Sequence, residues 1–226
     1  MKRSILKRTI LCITLALCFL LSACSNAKVL SRTDSGDLYN KMTGDKYVAC
    51  SVSLKAYSID TSKVYAKAGS MKYYRIRFEN PEVFISEEDN VMGGVYRIST
   101  APDITLENFG AIAAHIYIIG AAEYVVDQFQ PAEEYLTDTS YDFENYTDGS
   151  EYVKAVVEAL LEDERQEVPE YIDDDETRRI RLLSNEFPGL MYEVIFMKAT
   201  TGKSYLYDRG TGICVLAPKK IVERLL

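Results

Sequence analysis

The sequence predicts an α+β fold in which antiparallel sheet packs against one long buried helix and a second, amphipathic helix. Three observations predict it. From Lys46 onward Val, Tyr and Ile alternate with charged or small residues at period two, the pattern of half-buried strands. From Gly110 to Ala122 the chain carries no charged residue, and Phe109, Ile112, Ile116 and Ile119 fall at helical spacing. Asp148 and Glu151, three apart as in a capping box, precede Val153, Val156, Val157 and Leu160 at the same spacing.

Taken in order, strands are expected near 46–59, 63–68, 71–78, 82–86 and 94–99. Gly69-Ser70, Asn80-Pro81 and Gly93-Gly94 mark the turns between them. Asp103 or Thr105 then caps a helix running to Val125. Its charge-free stretch is shorter than the roughly 20 residues a membrane span needs, so it is placed against the sheet, with Gly120 lowering its propensity. The second helix ends before Pro169, and Asp173-Asp174-Asp175-Glu176 reads as an acidic turn into a strand at Ile180-Arg181-Leu182. After Pro188-Gly189 a meander follows at 190–199, 204–208 and 213–217, turning at Thr201-Gly202 and 210–212, and a short helix begins at Lys219. Residues 45–226 read as one globular domain. Residues 24–44, rich in Ser, Asn, Asp, Gly and Lys, read as a flexible tether.

The N-terminus has a different logic. Lys2, Arg3, Lys7 and Arg8 precede an almost wholly apolar run from Thr9 to Leu21, the layout of a secretory signal. Leu21-Ser22-Ala23-Cys24 then resembles the lipobox of bacterial lipoproteins: a branched apolar residue, two small ones and a cysteine. The resemblance covers residues 1–24 only. It implies that residues 1–23 are a signal peptide cut between Ala23 and Cys24, and that the Cys24 sulfur carries a diacylglyceryl group. The protein would then sit on the extracytoplasmic face of a cell membrane. Each buried CH₂ contributes about 0.8 kcal/mol, so two or three acyl chains anchor firmly where one does not.

Loss of residues 1–23 removes four basic side chains, leaving 22 Lys and Arg (26 − 4) against 34 Asp and Glu, a mature net charge of −12. That balance disfavours nucleic acid and anionic headgroups as partners of the folded domain. Of five cysteines, Cys12 and Cys18 leave with the signal and Cys24 is spent on lipid. Cys50 and Cys214 remain, both in strand-like runs. A disulfide between them is permitted outside the cytoplasm, and two small buried hydrophobes is the other reading.

Few catalytic schemes survive the residue inventory. His115 is the only histidine, too few for a zinc hydrolase, and no Gly-x-Ser-x-Gly motif offers it a serine. It reads as a core histidine. Gly202-Lys203-Ser204 lacks the first glycine of a phosphate-binding loop and is followed by a strand, so it reads as a hairpin turn. The acids from Asp138 through Asp142 and Glu144 to Asp148 fail the EF-hand spacing, with Ala155 where a bidentate glutamate belongs. Glu87-Glu88-Asp89 reads as a solvated turn. Arg178, Arg179 and Arg181 offer an anion-binding edge that the four preceding acids neutralise, and Tyr73, Tyr74 and Tyr96 offer faces for stacking on a sugar or a protein. No catalytic residue, metal ligand or cofactor is predicted.

The preferred reading is therefore a non-catalytic, membrane-anchored binding domain whose partner is a protein or cell-wall ligand. A cell-wall hydrolase using paired carboxylates and an accessory subunit of a membrane complex are the alternatives.

Overall fold

The computed structural model describes residues 27–88, 93–118, 124–135 and 146–226. The cleavage and lipidation positions Ala23 and Cys24, the acids Asp138, Asp142 and Glu144, and the far end of the expected long helix lie outside the described residues.

The first half supplies β1 (Lys28–Arg32), β2 (Leu38–Tyr39), β3 (Lys46–Ala49), β4 (Leu54–Ala56), β5 (Ile59–Asp60), β6 (Ala66–Ala68), β7 (Met71–Ile76), β8 (Phe84–Glu87) and β9 (Val95–Ile98). Seven of these close a barrel in the order β7-β6-β1-β2-β3-β9-β8, with β8 pairing back onto β7 and β5 attached outside the ring to β7. Only β1 and β6 run parallel, Lys28 opposite Ala66 and Leu30 opposite Ala68. A barrel this small is filled by side chains. Leu30, Leu38, Tyr47, Tyr73, Ile85 and Tyr96 meet inside it, with Ala66 and Ala68 making room for the tyrosine rings. The hydroxyls reach the barrel ends, where Tyr47 donates to Glu82 O, Tyr65 to Glu82 Oε1 (2.7 Å) and Tyr96 to Glu87 Oε1 (3.1 Å). Tyr73 stands edge-on to Tyr96 at 5.4 Å, its own hydroxyl buried without a hydrogen-bond partner.

The second half supplies β10 (Ala111–Ile118), β11 (Val125–Phe129), a 3-10 turn at Glu133–Tyr135, α1 (Ser150–Glu162), β12 (Ile172–Ser184), β13 (Leu190–Ala199), β14 (Ser204–Asp208), β15 (Ile213–Leu216) and α2 (Lys219–Leu225). Its sheet has the order β11-β10-β12-β13-β14-β15, and β4 crosses from the barrel to pair with β13. β13 is thus shared along its length: Leu190–Tyr192 face β4, while Ile195–Lys198 face β14. Ala114, Ile116, Ile180, Leu182, Val194 and Leu206 of one sheet face share a core with Val153, Val156 and Leu160 of α1 and Ile221 of α2.

The barrel is stapled to this sheet at Gly189, whose amide donates to Glu79 Oε1 (2.9 Å) and whose carbonyl accepts from Tyr57 N (2.8 Å). A Cβ there would lie 2.2 Å from Arg77 O, so only glycine permits the approach.

The α+β expectation is overturned. The chain is mostly β, a seven-stranded barrel plus a second sheet, with two short α-helices among the described residues. The segment expected as a long buried helix is an Asx-type turn region at Asp103–Asn108 followed by β10, where Asn108 Nδ2 donates to Asp103 O (2.9 Å). The physical reason lies in where β10 sits. A strand flanked on both edges and largely covered on both faces reads as a continuous apolar run rather than an alternating one, and its Ile112, Ile116, Tyr117 and Ile118 suit a pleated surface better than a helix. The tether is also corrected: residues 28–32 and 38–39 are barrel strands, because Leu30 and Leu38 bury inside the ring. Asp173–Glu176 lie within β12, not in a turn before it, and the register shifts between Asp173 and Arg178 to accommodate them. Cys50 and Cys214 are free thiols, half-buried and buried; burial pushes the Cys50 thiol up to about 12, so it stays protonated and inert.

Candidate functional site

The sheet face turned away from α1 carries a row of polar side chains in register across four strands. Gln128 pairs with His115, His115 with Arg181, and Arg181 with Glu193. Directly paired residues point to the same face, so the row is continuous. Arg181 and Glu193 are only 3% and 4% exposed, joined through Arg181 Nε and Glu193 Oε2 at 3.0 Å, with Arg179 Nη1 at 3.9 Å from the same oxygen. The Arg181 guanidinium also lies 4.4 Å from the centre of the Tyr117 ring, and His115 stands between Tyr57 (6.1 Å) and Tyr117 (6.4 Å). Lys55, opposite Met191 on β4, is held below the ordinary lysine range by burial, which the Glu193 charge partly offsets.

At the His115 end the face opens into a cavity of about 220 Å³ lined by His115, Gln128, Gln130, Tyr135, Ser184 and Asn185 over an apolar floor. Among the described residues, no charged side chain lines it. The Gln130 Oε1 atom is buried without a hydrogen-bond partner. An adjoining cavity of about 370 Å³ shares Ile112 and Tyr135; Leu106, Ala111, Val153 and Val157 give it an apolar wall, and Glu107, Lys154 and Glu158 also line it. Together the two cavities are in the size range of small-ligand sites.

Burial lowers the His115 pKa below its ordinary 6.5, so the imidazole at the cavity wall is neutral at pH 7 and offers one donor and one acceptor. The linkage has a definite sign. The unfolded chain takes up the proton near 6.5 and the folded chain only at lower pH, so stability is full above about 6.5 and declines below it. His115→Gln is expected to remove that decline. Urea unfolding of both proteins at pH about 7.5 and about 5.5 checks it: the wild type should lose more than the variant on acidification.

The structure redistributes the residues singled out by sequence. Arg179 and Arg181 share the polar face, whereas Arg178 points to the opposite one and donates to Asp175 O (2.6 Å). Tyr73, Tyr74 and Tyr96 are buried, so none of them presents a face for stacking; the exposed aromatics near the site are Tyr57 and Tyr135. Asp148 lies one residue before Gly149, the N-cap of α1, and accepts from Ser150 N (2.8 Å); the expected capping box does not form. Gly202 makes the β13–β14 turn at φ +87°. Among the described residues no three His, Cys, Asp or Glu side chains come together as a metal site, and no helix is long and apolar enough to cross a membrane. Sequence reasoning missed Gln128, Gln130, Ser184 and Asn185, for neutral polar residues carry no motif; only strand register assembles them. No family model, curated protein or solved structure matches the chain.

Proposed function

We propose that the chain is an extracytoplasmic lipoprotein, anchored to a membrane by lipid on Cys24, whose folded part is a non-catalytic binding domain for an uncharged ligand bearing hydroxyl or amide groups. The anchor reading is supported by the order of basic residues, apolar run and Leu21-Ser22-Ala23-Cys24. One observation carries the ligand reading: among the described residues the polar cavity is lined by an imidazole, amides and hydroxyls and by no charged side chain. A charged ligand there would lose hydration without gaining a counter-charge from these residues, whereas a neutral one needs only the hydrogen bonds on offer. The apolar wall of the adjoining cavity, Leu106, Ala111, Val153 and Val157, suits a ligand with one hydrophobic flank, such as a sugar ring or a short uncharged peptide.

Two measurements test these statements separately. Mass spectrometry of the natural product is expected to find acylated Cys24 as the first residue; an unacylated Cys24 still joined to Ala23 would end the anchor reading. Calorimetric titration of the mature lipoprotein in detergent micelles with neutral oligosaccharides and uncharged peptides should find saturable binding. Gln128→Ala or Gln130→Ala should weaken it about five- to tenfold, the worth of one hydrogen bond. Binding confined to charged compounds, or unchanged in both variants, would refute the ligand reading.

A further inference from the structure

The net charge hides a division along the chain. Residues 27–98, which hold the barrel, carry eleven Lys and Arg against nine Asp and Glu, while residues 99–226 carry eleven against twenty-five. The barrel half is thus +2 and the remainder −14, so the whole acidity of the mature protein belongs to the second half.

Within the barrel, cations gather at the end where the chain enters. β1 and β6 start there, β7 ends there, and β8 starts there. A cavity of about 210 Å³ at this end is lined by Ala27, Lys28, Lys63, Tyr65, Arg75 and Glu82. Lys28 and Arg75 both lie over the Tyr65 ring, at 4.9 and 5.3 Å. The β2–β3 turn is at the same end and holds out Lys41 and Met42, the latter 94% exposed. Of the carboxylates there, Glu82 pairs with Lys28 and accepts from the Tyr65 hydroxyl, Asp60 accepts from Ser62, and Asp45 accepts from Thr43. Among the described residues, Lys41, Lys63 and Arg75 enter no ion pair.

Ala27 follows Cys24 by three residues, a reach of at most about 10 Å even fully extended. The Debye length at physiological ionic strength is about 8 Å. A tether of twenty residues would have let the domain float free of the surface; three residues hold this end within the range where unscreened charges act.

We infer that the barrel end formed by Lys28, Lys41, Lys63 and Arg75 is a membrane-docking surface that engages the anionic headgroups of the bilayer carrying the Cys24 lipid. This rests on the acylation of Cys24. Met42, exposed on the β2–β3 turn, is placed to dip into the interface. The anchor supplies attachment, and the charges supply orientation.

The test uses the full lipoprotein reconstituted on vesicles of phosphatidylcholine alone or of phosphatidylcholine mixed with phosphatidylglycerol, with amine acetylation read by mass spectrometry. On the mixed vesicles Lys41 and Lys63 should react at least about fivefold more slowly than on phosphatidylcholine, with Lys154 and Lys203 unchanged, and roughly 1 M salt should abolish the difference. Lys41→Gln with Arg75→Gln should restore much of the Lys63 reactivity on the mixed vesicles. Equal reactivity on both vesicles, with the protein floating with both, would overturn the docking surface and leave the anchor intact. Failure to float with either would overturn the anchor and the docking surface together.

Discussion

Glu193→Gln is expected to cost about 3–5 kcal/mol of stability, because it removes the carboxylate from a buried ion pair with Arg181 and takes a negative charge away from Arg179 and Lys55. Arg181 is as buried as Glu193, Arg179 approaches the same oxygen, and the Lys55 amine feels its charge. The expected reading is a large drop in the urea midpoint at unchanged slope. The double variant Arg181→Met with Glu193→Leu separates charge from packing. It removes both charges and keeps similar volume, and is expected to cost less than Glu193→Gln alone. A double variant as damaged as the single one would show that the pair contributes through shape and not through charge balance.

Asp208→Ala should be comparably damaging, about 3–4 kcal/mol, for a different reason. The Asp208 carboxylate, 2% exposed, accepts from the Ser53 hydroxyl and Gly210 N (2.9 Å) on one oxygen, and from the Tyr192 and Thr211 hydroxyls (both 2.8 Å) on the other. It ties the β14–β15 turn to the segment leading into β4 and to β13, and its removal strands the Ser53 and Tyr192 hydroxyls in the interior. Burial and the Asp208 charge together push the Tyr192 phenol up, so it remains a donor throughout the accessible pH range. Asp208→Asn should cost much less, about 1–2 kcal/mol. Its NH₂ group can take the place of the oxygen facing Tyr192 and Thr211, whose hydroxyls can turn to accept, while its remaining oxygen keeps Ser53 and the Gly210 amide. Equal losses for the two substitutions, measured by denaturant unfolding, would rule out this account of the network.

The candidate site was partly visible in the sequence. His115 stood out as the sole histidine, and Arg179 and Arg181 as cations in an acidic chain. Their meeting in one row was not visible, because His115 and Arg181 are 66 residues apart (181 − 115) and are brought opposite each other only by the β10–β12 register. The tyrosines show the converse. Tyr73 and Tyr96 alternate with charged residues as exposed strand residues often do, yet the closure of β8 onto β7 puts their alternate face inside a ring.

By itself the sequence determined the positions of β6 through β9 and of β13 through β15, together with α1 and α2, but it ran β3, β4 and β5 together as one strand near 46–59. In β6, β7, β14 and α1 one face is more exposed than the other, and that contrast is written into the residue pattern at period two or 3.6; β13, covered on both faces, is marked instead by the turns that bound it. It also determined the charge division and the lipobox-like N-terminus. Tertiary structure alone decided that Ala111–Ile118 is a strand, that residues 28–39 belong to the barrel, and that the barrel closes at all. Where neighbours cover both faces of a segment, or where two short strands gain their stability only from partners far along the chain, local periodicity no longer distinguishes one conformation from another. The partner that completes the burial then makes the choice.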